Sequence, residues 1–521
     1  MPPHELRPSL PRFCPVSDLV HDQARQRPEA LALICGVHRV TYKELDRLSG
    51  RIALALQRDG LRPGDVVAIC AASSIEYVAA FLGTMRAGVV MAPLPPTATP
   101  ESLAVMVQDG PANLVFADAS TMALVRNAGL SDLCINLSDG DASLQSWLPE
   151  EGCQSEPIAI EPQWPFNIIY SSGTTGTPKG IVQTHERRAS QVARREQLGY
   201  GPDAVTLLAT PLYSNTTLVA LFPALAGGGT VVLMPKFDSR RYLELAQQER
   251  ATHTILVPVQ YQRILSEPNF GAFDLGSFRM KFCAGAPFSP QLKTEVARHW
   301  PGALTEFYGT TEGGGSCMLE VHNHPDKLHT VGRPAPGSEF HIIGEQNEPL
   351  PQGEPGEIVG RSSTMMNGYH GQESSTSLDW FDKDGKRFLR SGDVGYFDAD
   401  GFLVLVDRKK DMIISGGFNI YPSDLELQLR RHPQVQDAAV VGVPSERWGE
   451  TPIAFVVPRT GIDVDAQEIQ QWCNAQVGKT QRLAAVRLVG DLPRNPVGKV
   501  LKRELRAMYV NATALSPRPG W

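Results

Sequence analysis

The chain has 521 residues, enough for about two to four domains, each with its own core. Apolar residues make up 42% and charged residues 20%, as in an ordinary globular protein, and the net charge of −7 removes the basic excess that a nucleic-acid partner requires. The eight cysteines contain no C-x-x-C pair, which argues against a zinc site and fits the free thiols of a reducing compartment.

The opening stretch MPPHELRPSLPRFCPVSDLV has no basic region followed by an apolar run, so no secretory signal is expected. Thr41–Gly60 has helical spacing behind a threonine cap and ends in glycine. Asp65–Cys70 and Asn113–Asp118 are short apolar runs that predict buried strands. Ser73–Gly88 between them predicts a helix closed by Gly88. The apolar region Tyr77–Leu94 is broken by Arg86 and two glycines and falls short of a membrane span. Strand signals recur at Thr230–Pro235, His253–Pro258 and Arg279–Pro287. This alternation predicts an α/β fold with parallel sheets wrapped by helices. From about Thr330 to Asp411 helices thin out, and glycine, proline and short strands predict a β-rich unit. Beyond Lys410 the signals alternate again: helix at Tyr421–Pro433, strands at Val435–Pro444 and Thr451–Pro458, helix at Asp465–Val477. We therefore expect residues 1–407 as a large N-terminal domain, with a β-rich subdomain at about 320–407, and residues 408–521 as a small mobile α+β domain. The ending SPRPGW carries no lipidation or peroxisomal signal, so a cytoplasmic protein without an integral membrane segment is expected.

One segment fits no core. YSSGTTGTPKG, from Tyr170 to Gly180, holds three glycines, five serines or threonines, a proline and a lysine. Such a loop suits phosphate: glycine lets backbone N–H groups approach an anion, hydroxyls donate, and lysine adds a charge. It matches neither the Walker nor the G-x-G-x-x-G pattern, because Pro178 precedes Lys179 and Gly180 follows it. A solvated linker has the same composition.

The full string resembles the phosphate loop of the adenylate-forming enzymes, the family of acyl-CoA synthetases, luciferase and peptide-synthetase adenylation domains. Further resemblances follow in family order: AGAP at Ala284–Pro287, FYGTTEGG at Phe307–Gly314, SGDVGYFDADGFLVLVDRKKDMIISGGFNIYPSDLE, and LPRNPVGKVLKREL. The resemblance implies that a carboxylic acid attacks the α-phosphorus of ATP, giving an acyl-adenylate and pyrophosphate, and that a thiol such as coenzyme A then displaces AMP. It implies that Ser171, Ser172, Gly173, Thr174, Thr175, Gly176, Thr177 and Lys179 wrap the β- and γ-phosphates. It implies that Thr311 bonds the α-phosphate, that Glu312 and Thr174 hold Mg2+, and that Gly285, Ala286, Tyr308, Gly309 and Thr310 flank the nucleotide. Asp393 and Arg408 are implied at the ribose, and Lys410 at the hinge. Lys499 is implied as the catalytic lysine between carboxylate and α-phosphate, with Lys502 a surface lysine by comparison. Ser415, Gly416 and Gly417 are implied to form the hairpin beside the pantetheine path.

Two departures stand out. Ser214, in TPLYSNTT, occupies a place where family members often carry histidine, and Phe418 one where several carry a polar residue. His185 is open between lining the acyl pocket and packing. Pocket candidates are Tyr213, Asn215, Thr216, Val259, Gln260, Ala284, Gly309 and residues 313–317, and no arginine or lysine stands out for a second carboxylate. An acyl-CoA ligase for an aryl, arylalkenyl or medium-chain monocarboxylate is therefore expected. The alternatives are an enzyme that loads a separate carrier protein and a nucleotide-binding relative without ligase turnover. A homodimer stays open.

Overall fold

Thr41 Oγ1 accepts a hydrogen bond from the backbone N–H of Glu44, whose carboxylate in turn accepts one from the Thr41 N–H, and this capping box starts the helix Tyr42–Arg58 where the sequence places it. The helix Ile75–Arg86 follows, capped by Ser74, and Gly88 takes the φ of +71° that ends it. The computed structural model describes residues 13–138, 143–152, 155–171, 178–363, 365–366, 368–371, 380–415, 418–445, 447–459, 461, 464–495 and 498–514.

The chain divides into two units. The first comprises Met1–Gly313, Glu320–Pro325 and Ser362–Asp379. In one of its sheets the strands run in the spatial order Ala303–Gly309, Met280–Cys283, His253–Leu256, Val205–Leu208, Thr230–Leu233, Leu31–Cys35 and His38–Thr41. Every neighbouring pair is parallel except the last. The other sheet has the order Cys134–Asn136, Ala112–Ala117, Val66–Cys70, Val90–Pro93, Pro165–Ser171 and Lys179–Thr184. It is parallel until the final antiparallel hairpin. Phe81, Phe166 and Phe222 pack ring to ring between helices and strands, with centroids 5.3–5.8 Å apart.

The second unit comprises Gly314–Leu319, Asp326–Arg361 and Trp380–Trp521. It holds the β-rich region as an antiparallel sheet built on the long strand Lys386–Phe397, which pairs with Gly356–Ser362, Trp380–Lys383 and Leu403–Arg408. It also holds an α+β portion, in which Val435–Ser445 and Gly449–Pro458 form a hairpin and Ala485–Leu488 adds in parallel. The helices Pro422–Arg431 and Ala466–Gln476 lie on this sheet through Leu425, Leu429, Ile469 and Cys473. The described cysteines are free thiols, and among the described residues no helix is long and apolar enough to cross a membrane.

Gly83 sets the approach of the first two long helices. A Cβ there would lie 2.7 Å from Ile52 Cβ and from the carbonyl oxygen of Ser49. Alanine gains about 1 kcal/mol over glycine in a helix, but the backbone oxygen cannot yield without separating the helices, an overpacking cost of about 1–3 kcal/mol. Gly83→Ala should therefore lower the urea midpoint of the protein, and a raised midpoint would show that the two helices do not limit each other.

Candidate active site

In parallel sheets, ligands gather at the carboxyl ends of the strands, and the first-unit residues singled out by sequence lie there. Met280–Cys283 runs into Ala284, Gly285 and Ala286, and Gly285 has the φ of +90° that glycine adopts freely. A Cβ on Gly285 would stand 3.7 Å from Thr216 Oγ1 and 3.8 Å from Val257 Cγ1, so these two side chains line the same turn. Ala303–Gly309 carries Tyr308 and Gly309 at its end and delivers Thr310, Thr311 and Glu312, where Gly313 N–H closes a turn on the Thr310 carbonyl.

The phosphate-loop segment spans a hairpin. Ser171 pairs with Lys179 at the ends of its two strands. Ser172, Gly173, Thr174, Thr175, Gly176 and Thr177 lie outside the described residues, as do Gly416 and Gly417. Ile181 bridges to Tyr369. Tyr369 connects two of the expected residues: Lys179 Nζ sits 4.6 Å from its ring centroid, and its hydroxyl donates to Glu312 Oε1 at 3.4 Å. Sequence reasoning missed Tyr369, because nothing local marks a residue so far from either partner.

It also missed Arg187 and Arg188. Arg187 Nη2 donates to the Thr311 carbonyl at 2.6 Å, and Gln183 Nε2 donates to the same oxygen at 3.3 Å. Burial pushes the Arg187 guanidinium down to about 10 against the opposing pull of Glu312, and it pushes Arg188 well down too, with the charge of Arg187 adding to the effect. Asn215, a pocket candidate, accepts from Arg188 Nη2 at 2.7 Å. Gln260, another candidate, is committed to backbone at Val257 and Ala209. Ser214 is buried at the start of the helix Asn215–Ala226 and makes no side-chain cap there. His185 packs edge-on against Phe166 at 5.1 Å, and burial lowers it to about 4, so it is neutral at pH 7.

In the second unit Asp393 and Arg408 face each other across the strand pair Lys386–Phe397 and Leu403–Arg408, with Nε 2.9 Å from Oδ1. Lys410 occupies the short 3₁₀ turn Lys409–Asp411 that follows, and Ser415 ends the strand Ile413–Ser415 opposite Phe418. The Lys499 backbone is tied by N–H to Asn495 Oδ1 at 2.8 Å and by its carbonyl to Asn495 N–H at 2.9 Å. Among the described residues no carboxylate makes an ion pair with its ammonium. Lys502, three residues on, pairs with Glu426 at 3.0 Å and is half of an intradomain bridge.

Burial first, then the charges of Arg408 and Lys410, push Lys499 down from the ordinary 10.5 to about 8, although Asp393 and Asp411 pull the other way. Below pH 8 this lysine is charged in both folded and unfolded chains, and folding carries the full cost. As pH rises towards 10.5 the folded state gives up its proton first and the cost disappears. Lys499→Met should thus raise the thermal midpoint at pH 7 by about 2 °C or more, with the gain shrinking between pH 8 and 10.5. A midpoint difference independent of pH would disprove the unfavourable burial.

The AMP-binding enzyme family matches residues 20–370, and the AMP-binding enzyme C-terminal domain matches residues 424–499. A feruloyl-CoA synthase of Amycolatopsis sp is 33% identical over 491 residues, covering 94% of this chain and 97% of that protein. A fatty acid–[acyl-carrier-protein] ligase, ScoC, of Streptomyces coeruleorubidus is 30% identical over 498 residues, covering 93% and 95%. Among solved structures, the o-succinylbenzoate CoA synthetase of Bacillus subtilis in complex with its acyl-adenylate intermediate superposes with a TM-score of 0.83 at 28% identity, over 98% of this chain and 99% of that one.

Proposed function

The chain belongs to the AMP-binding enzyme family, and from that premise we propose that it is an acid–thiol ligase. It activates a carboxylic acid with ATP to an acyl-adenylate and passes the acyl group to coenzyme A. The observation that carries the reading is Lys499: its ammonium is kept largely from water, beside the Asp393–Arg408 pair, without an ion-pair partner among the described residues, while Lys502 nearby is paired. An enzyme accepts such a cost where the missing counter-charge arrives with the substrate.

The reaction has two balanced steps. A carboxylate oxygen attacks the α-phosphorus, and the bond to pyrophosphate breaks. The thiolate sulfur then attacks the acyl carbon, and the bond to AMP breaks. In this reading Lys179 and the loop 171–177 hold the outer phosphates, and Thr311 donates to the α-phosphate. Gly285, Ala286, Tyr308, Gly309 and Thr310 border the adenine end. Asp393 accepts the ribose hydroxyls beside Arg408, and Lys499 bridges carboxylate and α-phosphate. Ser415, Gly416 and Gly417 border the thiol path. Among the described residues no group of three or more acidic, histidine or cysteine side chains could hold a metal. In this reading Glu312 and Thr174 would hold a magnesium that arrives on the nucleotide phosphates. Bound there, magnesium neutralises charge on the phosphates.

The likeness to the feruloyl-CoA synthase supports an aryl or arylalkenyl acid, with medium-chain fatty acids the next class. The likeness to the carrier-protein ligase favours a second acceptor, a carrier protein in place of CoA. We place the boundary between the two functional domains at Asp407–Asp411, which lies between the two matched segments. The test is product analysis with a panel of acids, with CoA or a phosphopantetheinylated carrier protein as acceptor. AMP and pyrophosphate are expected, and ADP would overturn the reading.

The half-reactions give a sharper expectation. Lys499→Ala should lower acyl-adenylate formation by about a hundredfold or more yet still pass a supplied acyl-adenylate to CoA. Lys410→Pro, which fixes φ near −65° at the proposed hinge, should do the reverse. Equal loss of both halves in both variants would rule out separate roles for these lysines.

A further inference from the structure

The helix His185–Val192 carries two guanidiniums that the ligase reading leaves without a task. Arg187 is 5% exposed and Arg188 1%. Arg188 donates to neutral oxygens, Gln191 Oε1 at 2.8 Å, Asn215 Oδ1 at 2.7 Å and Asn167 Oδ1 at 3.3 Å, and lies 5.6 Å from the Phe166 ring centroid. Arg187 spends one N–H on the Thr311 carbonyl. Among the described residues its Nε and Nη1 are buried with no hydrogen-bond partner, and so is Nε of Arg188. Gln183 Oε1 and Asn167 Nδ2 beside them are also unsatisfied.

A merely structural arginine does not look like this. Buried guanidiniums are ordinarily paired with carboxylates, because a desolvated charge without a counter-charge is costly. Among the described residues no carboxylate accepts a hydrogen bond from either arginine. Glu312 acts on Arg187 through its charge, but the ligase reading commits Glu312 to magnesium. Two cations adjacent in the chain thus keep unused donors, and one of them, Arg187, is tied to Thr311, the residue assigned to the α-phosphate. What completes them is an anion brought from outside the chain.

We propose that Arg187 and Arg188 receive a second anionic group of the acid, so that the preferred substrates are dicarboxylates rather than monocarboxylates. This rests on the ligase reading above. A guanidinium binds a carboxylate through charge-assisted hydrogen bonds, and Arg187 Nε and Nη1 are each unspent among the described residues. The bond of Nη2 to Thr311 ties that guanidinium to the loop where activation takes place, so the second carboxylate is recognised near the activated one. The arginines thereby set specificity, and Gln183, Asn167 and Asn215 position them.

The test compares matched acids in AMP release: butyrate with succinate, hexanoate with adipate, octanoate with suberate, and cinnamate with 4-carboxycinnamate. In the unaltered enzyme at least one diacid should exceed its monoacid in kcat/KM by about tenfold or more, the scale of one buried charge-assisted bond. Arg187→Met should collapse that ratio towards one, chiefly through KM of the diacid, and Arg187→Lys should keep part of it. The unaltered enzyme needs no variant to fold, so its ratios decide by themselves. Monoacids favoured in every pair, or a diacid preference that survives Arg187→Met, would overturn the inference while leaving the ligase reading intact. AMP from none of these acids while another acid of the panel releases it would overturn the inference alone, and AMP from no acid at all would overturn both.

Discussion

Buried cations to which, among the described residues, no carboxylate is hydrogen-bonded are the constraint around which the candidate functional parts of this chain are arranged. Elsewhere the fold treats buried charge conventionally. Lys293 and Glu306, 2% and 5% exposed, pair at 2.5 Å, and Lys281 spends its ammonium on the carbonyls of Trp300, Pro301 and Gly302. Arg187 and Arg188, which keep buried N–H groups unspent among the described residues, depart from that practice. Leaving a buried ion unmatched costs several kcal/mol, so the surrounding scaffold must supply stability that these residues subtract.

The scaffold does so with ordinary means. The parallel strands are short and fully buried, as Val66–Cys70 and His253–Leu256 illustrate, and sheets covered on both faces yield large apolar burial per residue. Their carboxyl ends are where backbone turns away from the ladder and leaves donors free. Gly285 with its positive φ and the Thr310–Gly313 turn use that freedom. The candidate residues of the first unit therefore sit at the ends of rigid strands, where positions are precise without being packed shut.

Much of this was readable in the residues. The Thr41 cap, the Gly88 stop and the strand runs at 65–70, 113–118, 230–235 and 253–258 all reappear within a residue or two of their expected bounds. Those signals are local, set by period and by capping chemistry. The candidate site residues could be named from motifs because the loops that carry them have unusual composition. Arg187 and Arg188 were not legible. HERRASQVARREQ has the charge density of a solvent-facing helix, and only the packing of Asn167, Asn215 and Thr311 around it shows that part of that charge is inside. Tyr369 was hidden for a related reason: its value lies in joining Lys179 to Glu312, and a tertiary coincidence leaves no periodicity.

The arginine pair also sets a direction for descent. Replacing a buried unpaired guanidinium by an aliphatic side chain of similar size is commonly neutral or stabilising. A lineage that exchanged Arg188 for leucine or methionine would gain folding stability at once and lose a recognition element. The reverse change would have to install a desolvated charge together with the amides of Asn167, Asn215 and Gln191 that cradle it, and no single step does both. Substrate range around this helix is thus a ratchet: drift towards a plainer pocket runs downhill in stability, while a return needs several residues to change together under selection for the acid itself.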